Sequence, residues 1–274
     1  LLALLVVRAR RKDRREYRRF RRYRSTARRQ RMLRRWLLES FALFGGGAAV
    51  LLALTWPVVA PLLEATQSLP WVAAARDGLG SPWGIATLAA ALVAFVALTV
   101  VGVRSAREEG GVLMVGDIAA LLPRNRPELR LGAVLSVNAG VVEEALFRLA
   151  LPALLVVVTG EPVSAFAVAI LAFGALHAYQ GPVGMLGAAL LAAILTAAYV
   201  LSGSILVAML AHALLDLRTL VLIPMAVYRV HRVPGSVRVP PALPLAPRPE
   251  RTDDSPNPTR ETPAQAVEEA GSGA

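Results

Sequence analysis

The chain has 274 residues, of which 55% are hydrophobic and 18% charged, and its mean hydropathy is +0.54. A soluble domain of this length carries about 25% charged residues, so the composition excludes an ordinary soluble fold. The net charge of +11 is local, since 16 of the 30 Lys and Arg residues fall between residues 8 and 35, and the absence of cysteine removes disulfides, thiolate metal sites and a cysteine nucleophile.

In chain order, residues 1–7 form an apolar run too short to span a bilayer. It reads as the end of a truncated helix or as a short apolar start. A signal peptide is a poor fit, because its basic stretch precedes its apolar one and here the order is reversed. Residues 8–35 read as a basic helix or a disordered arm, with Tyr17, Phe20 and Tyr23 interleaved among arginines. That mixture is compatible with nucleic acid. A basic segment abutting a hydrophobic span is better explained as an orientation signal that also attracts anionic lipid, and no nucleic-acid partner is expected.

The apolar blocks that follow are long enough to cross a hydrocarbon core about 30 Å thick at about 1.5 Å per residue. Spans are predicted at 36–63, 82–103, 131–158, 162–178, 182–201 and 204–228. Ala, Leu, Val and Gly dominate them, as in helices that pack through small residues. The short alternating segments of a membrane barrel are absent. The fold class is all-α, a polytopic membrane helix bundle of about six spans, with more if a helix precedes residue 1. Gly45-Gly46-Gly47 and Pro57 are expected to interrupt the first span and Pro152 to kink or break the third.

Loop charge predicts orientation. The 64–81 loop has Arg76 as its single base, whereas the 104–130 loop has Arg104, Arg107, Arg124, Arg126 and Arg130. Arg229, Arg232 and Arg238 follow the last span. Six spans put the arm, the 104–130 loop and the C-terminus on one side, the cytoplasm. Beyond residue 233 nine prolines occur by residue 263, which predicts a disordered tail. The expected organisation is a basic cytoplasmic arm (1–35), two helices and a loop (36–127), a catalytic transmembrane core (128–230) and a Pro-rich cytoplasmic tail (231–274).

Ionisable side chains in a membrane helix are costly, by about 2.5–3.5 kcal/mol for a central Arg or Asp. The last four spans nevertheless hold Glu143, Glu144, Arg148, His177, His212 and Asp216. They fall into three groups. In Glu143-Glu144-Ala145-Leu146-Phe147-Arg148, Glu144 and Arg148 are four apart and share a helix face. Glu143 points about 100° away and stays unneutralised, as a general base requires. In Phe173-Gly174-Ala175-Leu176-His177, Phe173 lies one turn before the imidazole and can wall it from lipid. In His212-Ala213-Leu214-Leu215-Asp216, Asp216 can accept from one imidazole nitrogen and fix the tautomer. Any one group occurs for structural reasons alone; all three in order on apolar helices point to a site. His231 lies past the last span beside Arg229 and Arg232 and reads as a surface residue.

EEALFR, FGALH and HALLD resemble the EExxxR, FxxxH and HxxxN/D motifs of the CAAX-protease and bacteriocin-processing family, also called the CPBP or Abi family. Thr159-Gly160, Gly181-Pro182 and Ser202-Gly203-Ser204 fit the same pattern. The resemblance covers residues 128–228 and leaves the arm, the first two spans and the tail unmatched. Two positions depart from it: Leu149, where the family usually has Gly, and Asp216, where many members have Asn.

The resemblance implies intramembrane hydrolysis of a peptide bond with no covalent intermediate. Glu143 would activate a water as general base, with His177 as its second anchor. Glu144, held by Arg148, would shape the pocket and tune Glu143. His212 would donate to the oxyanion, and Asp216 would either orient His212 or stay protonated. Glu143 lies about 18 Å into its helix by the rise per residue, within reach of a cavity open to the cytoplasm. No cofactor is expected; zinc on the two histidines and carboxylates is an open alternative, although HExxH is absent.

The expected substrate is a membrane-associated protein or peptide. The expected location is a bacterial cytoplasmic membrane, with both termini cytoplasmic, because Lys12 is the sole lysine and Arg, Ala and Gly are abundant, a mark of GC-rich coding. Two other classes stay open: a non-enzymatic immunity or scaffold protein using the same cavity, and a proton-coupled transporter. The transporter would be expected to show repeated halves, which are not evident.

Overall fold

A computed structural model describes residues 2–109 and 114–235. The tail predicted to be disordered lies, from residue 236 on, outside the described residues. Apolar runs rich in Ala and Leu cannot leave backbone N–H and C=O groups facing lipid, and a helix satisfies them within one segment. Among the described residues the chain is accordingly helical almost throughout and has no strand.

The helices are α1 (Leu2–Arg8), α2 (Arg14–Arg21), α3 (Thr26–Ser40), α4 (Gly46–Gln67), α5 (Pro70–Gly80) and α6 (Pro82–Glu109). They continue as α7 (Arg126–Glu144), α8 (Leu151–Thr159), α9 (Pro162–Leu176), α10 (Gly181–Ser202), α11 (Ile205–Leu217) and α12 (Ile223–Tyr228). Four π-helical turns, at Ala9–Asp13, Phe41–Gly45, Ala145–Ala150 and Arg218–Leu222, join consecutive helices without breaking the rod.

Among the described residues four helical rods are long and apolar enough to cross a membrane: Thr26–Gln67, Pro82–Glu108, Ala178–Ser202 and Ile205–Tyr228. Pro162–Leu176 is apolar but shorter. The rod at 126–159 has the length, and Glu143, Glu144 and Arg148 interrupt its apolar character. The protein is an integral membrane helix bundle.

Three details differ from the sequence reading. The glycine triplet and Pro57 do not interrupt the first span. The backbone widens into the Phe41–Gly45 π-turn and then runs on through Pro57 and Pro61. The 64–81 segment is not a plain loop. Pro70 opens α5 after an extended Leu69, and the alanines that follow propagate it. Pro152 ends no helix. It sits at the start of α8, directly after the Ala145–Ala150 π-turn, which absorbs the strain and the lost N–H that a mid-helix proline brings.

Two glycines set how closely the helices approach. A Cβ on Gly140 of α7 would lie 2.8 Å from the Ala213 side chain and 2.9 Å from the Met209 carbonyl of α11. A Cβ on Gly174 of α9 would lie 2.8 Å from Ala189 of α10. Small residues therefore bring α7 onto α11 and α9 onto α10. One apolar cluster gathers Leu146, Phe147, Phe173 and Ala192 beside the three motifs. A second gathers Leu62, Val72, Phe166 and Tyr199.

The basic arm is folded. Tyr17, Phe20, Thr26 and Arg29 are buried. Arg29 Nε bonds both Glu128 oxygens at 3.1 and 3.0 Å, and its Nη2 reaches the carbonyls of Ala120 and Leu122. Glu128 also accepts from the Arg124 amide, while Asn125 caps α7 by accepting from the Glu128 amide. One buried ion pair thus ties the arm, the loop before α7 and the start of α7. At the same end of the bundle the Arg126 amide donates to the Val233 carbonyl. His231, expected at the surface, is half-buried in the Val230–Arg232 turn, with Nδ1 enclosed and unpaired among the described residues.

Candidate active site

The three motif groups stand on three helices. Glu143, Glu144 and Arg148 belong to the end of α7 and the π-turn after it, His177 caps the end of α9, and His212 and Asp216 lie on α11. The Gly140–Ala213 contact, one turn before Glu144 and one residue after His212, fixes how near these groups come. As a result Glu144 Oε1 lies 2.7 Å from His212 Nδ1.

Glu144 and Arg148 are wholly enclosed, at 0% and 1% exposure. Arg148 Nε stands 3.0 Å from Glu144 Oε2, an ion pair whose angle is too poor for a hydrogen bond. Its Nη2 donates to the Ala192 carbonyl at 3.3 Å, and the guanidinium lies 4.9 Å from the Phe173 ring centre. A carboxylate only accepts, so His212 Nδ1 carries the hydrogen that meets Glu144. Asp216 stands 3.8 Å from His212 Nε2, beyond hydrogen-bond reach. The sequence offers Asp216 either as a partner that fixes the His212 tautomer or as a carboxyl that stays protonated. Glu144 occupies the tautomer-fixing position instead, because close packing of α7 on α11 brings it nearer than a one-turn partner on the same helix.

His177 is set differently. Its Nδ1 lies 2.8 Å from the Phe173 carbonyl, and its ring stacks on Phe173 at 4.7 Å. Nδ1 must donate there, which leaves Nε2 of the neutral ring as an acceptor.

A cavity of about 700 Å³ joins these pieces. Glu143, His177, His212 and Asp216 all line it, whereas Glu144 and Arg148 do not. Among the described residues Glu143 has no hydrogen-bond or ion-pair partner, so its carboxylate is available to whatever enters. The six residues singled out from the sequence thus divide into four at the cavity wall and two enclosed behind it. Among the described residues no group of three or more His, Cys, Asp or Glu is arranged to hold a metal ion.

The sequence reading missed further wall residues. Tyr179, in the short turn after His177, lies 5.9 Å from its ring. Its hydroxyl accepts from Gln180 Nε2 at 2.9 Å, which leaves its own hydrogen for another partner. Asn138, one and a half turns before Glu143, bonds Ser40 of α3 at 2.9 Å. The arm contributes Leu5, Arg8, Asp13 and Tyr17. Tyr17 donates to the Asp117 carbonyl. Burial, and then the Asp117 charge, push its hydroxyl up to about 12, so it stays a neutral donor. Asn138 falls about 140° around the helix from Glu143, so its signal in the sequence was a polar side chain in an apolar span and not its spacing. In the arm the signal was Tyr17 and Phe20, three apart among arginines, which mark the face that folds inward and are both buried.

Comparison with known proteins adds one match. Residues 125–218 fit the model of a family described as Rce1-like, type II CAAX prenyl endopeptidase Rce1-like. The matched segment contains all three motifs and bears out the family resemblance drawn from them; it is well under half of the chain. No curated protein matches the chain, and no solved structure does.

Proposed function

We propose, taking the family match as premise, that this protein is an intramembrane endopeptidase that hydrolyses a peptide bond of a membrane-associated protein or peptide by means of a glutamate-activated water. The observation that carries the proposal is the division of the six ionisable residues. A carboxylate with no partner among the described residues and two histidines line one cavity, and the enclosed Glu144–Arg148 pair stands behind them.

A water between Glu143 and His177 would donate one hydrogen to the carboxylate and the other to the Nε2 acceptor. Its lone pair is then free to attack a carbonyl carbon. Glu143 takes the proton as the C–O bond forms and returns it to the leaving amine as the C–N bond breaks. His212 already spends its Nδ1 hydrogen on Glu144, so it donates to the oxyanion from Nε2 as a doubly protonated ring. Glu144 positions His212, and Arg148 positions Glu144. Asp216 faces Nε2 from one turn away and confines the imidazole. In a zinc-dependent variant the acceptor nitrogen of His177 would be the natural first ligand.

The proposed orientation puts the arm, the 104–130 loop and the end of the last helix in the cytoplasm. Contacts among residues 17–21, Asp117, Arg126 and Val233 support it by gathering these segments at one end of the bundle. The proposed organisation keeps residues 1–35 as the arm, 36–127 as flanking helices, 128–230 as the core and 231–274 as the tail, in a bacterial cytoplasmic membrane whose anionic lipid meets the arm.

The test is cleavage of a peptide library by purified protein in proteoliposomes. Glu143→Ala and His177→Ala should each lower the rate at least about 10³-fold while the protein still inserts and accumulates. Cleavage that survives both changes sinks the glutamate-water mechanism, and a cellular phenotype that survives both favours a binding role. Strong inhibition by a chelator, reversed by zinc, would overturn the metal-free mechanism.

A further inference from the structure

The arm has two faces, and only the inner one is occupied. Inward, the Tyr17 ring lies 5.3 Å from Tyr179, two residues past His177, and Phe20 packs on Trp36 at 4.9 Å. Arg21 pairs with Asp117 beside the Tyr17 bond. The arm therefore closes one side of the cavity lined by Glu143 and His177, although it lies outside the residues matched to the family.

Outward, Arg10, Arg11, Arg14, Arg15, Arg18 and Arg19 are exposed, and none has an ion-pair partner among the described residues. Their spacing of three to four puts them along one side of the helical arm. Six unpaired like charges repel one another and call for an anionic counterpart.

The depth of this face selects the partner. Arg8 and Lys12 bond Glu39 at 2.8 and 2.6 Å. Glu39 lies where the rod Thr26–Gln67 changes from arginine-rich to apolar, which is where it enters hydrocarbon. α1, which ends at Arg8, packs against α9. Arg10 to Arg15 therefore lie within about one helical turn of that level, and Arg18 and Arg19, six and seven residues past Lys12, lie about 9–11 Å farther along the arm.

We propose that the outer face of the arm docks on anionic phospholipid headgroups, and that this docking holds Tyr17 against Tyr179 so that headgroup charge regulates the candidate active site. The regulatory half rests on the protease reading; the docking half does not.

Hydrogen exchange over residues 10–22 of the intact protein tests it, in nanodiscs of phosphatidylcholine alone or mixed with phosphatidylglycerol. Phosphatidylglycerol should slow exchange about tenfold, and salt near 1 M, where the screening length falls to about 3 Å, should remove the effect. Changing the six arginines together to Gln should abolish the slowing, and changing them to Lys should preserve it. If the Gln variant does not accumulate, the salt and Lys measurements decide. Equal exchange in the two lipids overturns the proposal, as does slowing by a short RNA but not by phosphatidylglycerol. With wild-type protein the mixed lipid should also lower the KM for cleavage several-fold at unchanged kcat. Slowed exchange with no cleavage in either lipid would sink the protease reading and leave the docking surface standing.

Discussion

Glu143 and Glu144 are adjacent carboxylates with opposite surroundings, and the contrast yields a double prediction. Glu144→Ala strips the partner from an arginine that is 1% exposed. Breaking such a buried pair costs about 3–5 kcal/mol, so the variant should melt well below wild type in detergent, with cleavage lost alongside. Glu143→Ala removes a half-buried side chain with no hydrogen-bond or ion-pair partner among the described residues. Its melting temperature should stay within a few degrees of wild type, because changes away from buried networks are worth about 0.5 kcal/mol. Equal melting of the two variants would contradict the division into cavity wall and enclosed support. The sequence marked both residues, and the four-residue spacing named Arg148 as the partner of Glu144. It did not reveal the bond from Glu144 to His212, because residues 68 apart are brought together only by the close approach of α7 and α11.

Helix spacing carries the next set of expectations. At Gly140 an added methyl meets backbone atoms of α11 at 2.9 Å, which no side-chain rotation can relieve. Gly140→Ala should therefore cost about 1–3 kcal/mol. It should also lengthen the 2.7 Å contact between Glu144 and His212, and it should lower kcat more than it raises KM. Unchanged kcat in a folded Gly140→Ala protein would mean that this contact is not needed. Arg29→Ala tests the other junction. It leaves Glu128 buried without its partner, at a cost of about 3–5 kcal/mol by the same reasoning, read as a lowered melting temperature. The positions of the four long apolar rods among the described residues were legible from hydropathy alone. The π-turns, the helix α5 and the burial of Arg29 were not. Prolines, glycines and arginines look like breakers or solvated charge until their neighbours are known.

For the molecule as a whole, the bilayer sets the terms. Lipid offers ionisable groups no hydration, so six of them on neighbouring helices persist because they gather at and behind one cavity. The family match from residue 125 to 218 spans the three motifs, and the structure adds the arm, which reaches the same cavity from outside that segment. The metal-free mechanism predicts that prolonged dialysis against a chelator leaves cleavage unchanged, with metal content read by mass spectrometry. Activity that falls in step with lost zinc would contradict it.

The sharpest test is a map of ordered water around the site in the lipid-embedded protein. A water should lie within hydrogen-bond distance of both the Glu143 carboxylate and His177 Nε2. A carboxylate turned toward the acyl chains, or lying more than about 6 Å from both imidazoles, twice the length of a hydrogen bond, would contradict the proposed mechanism.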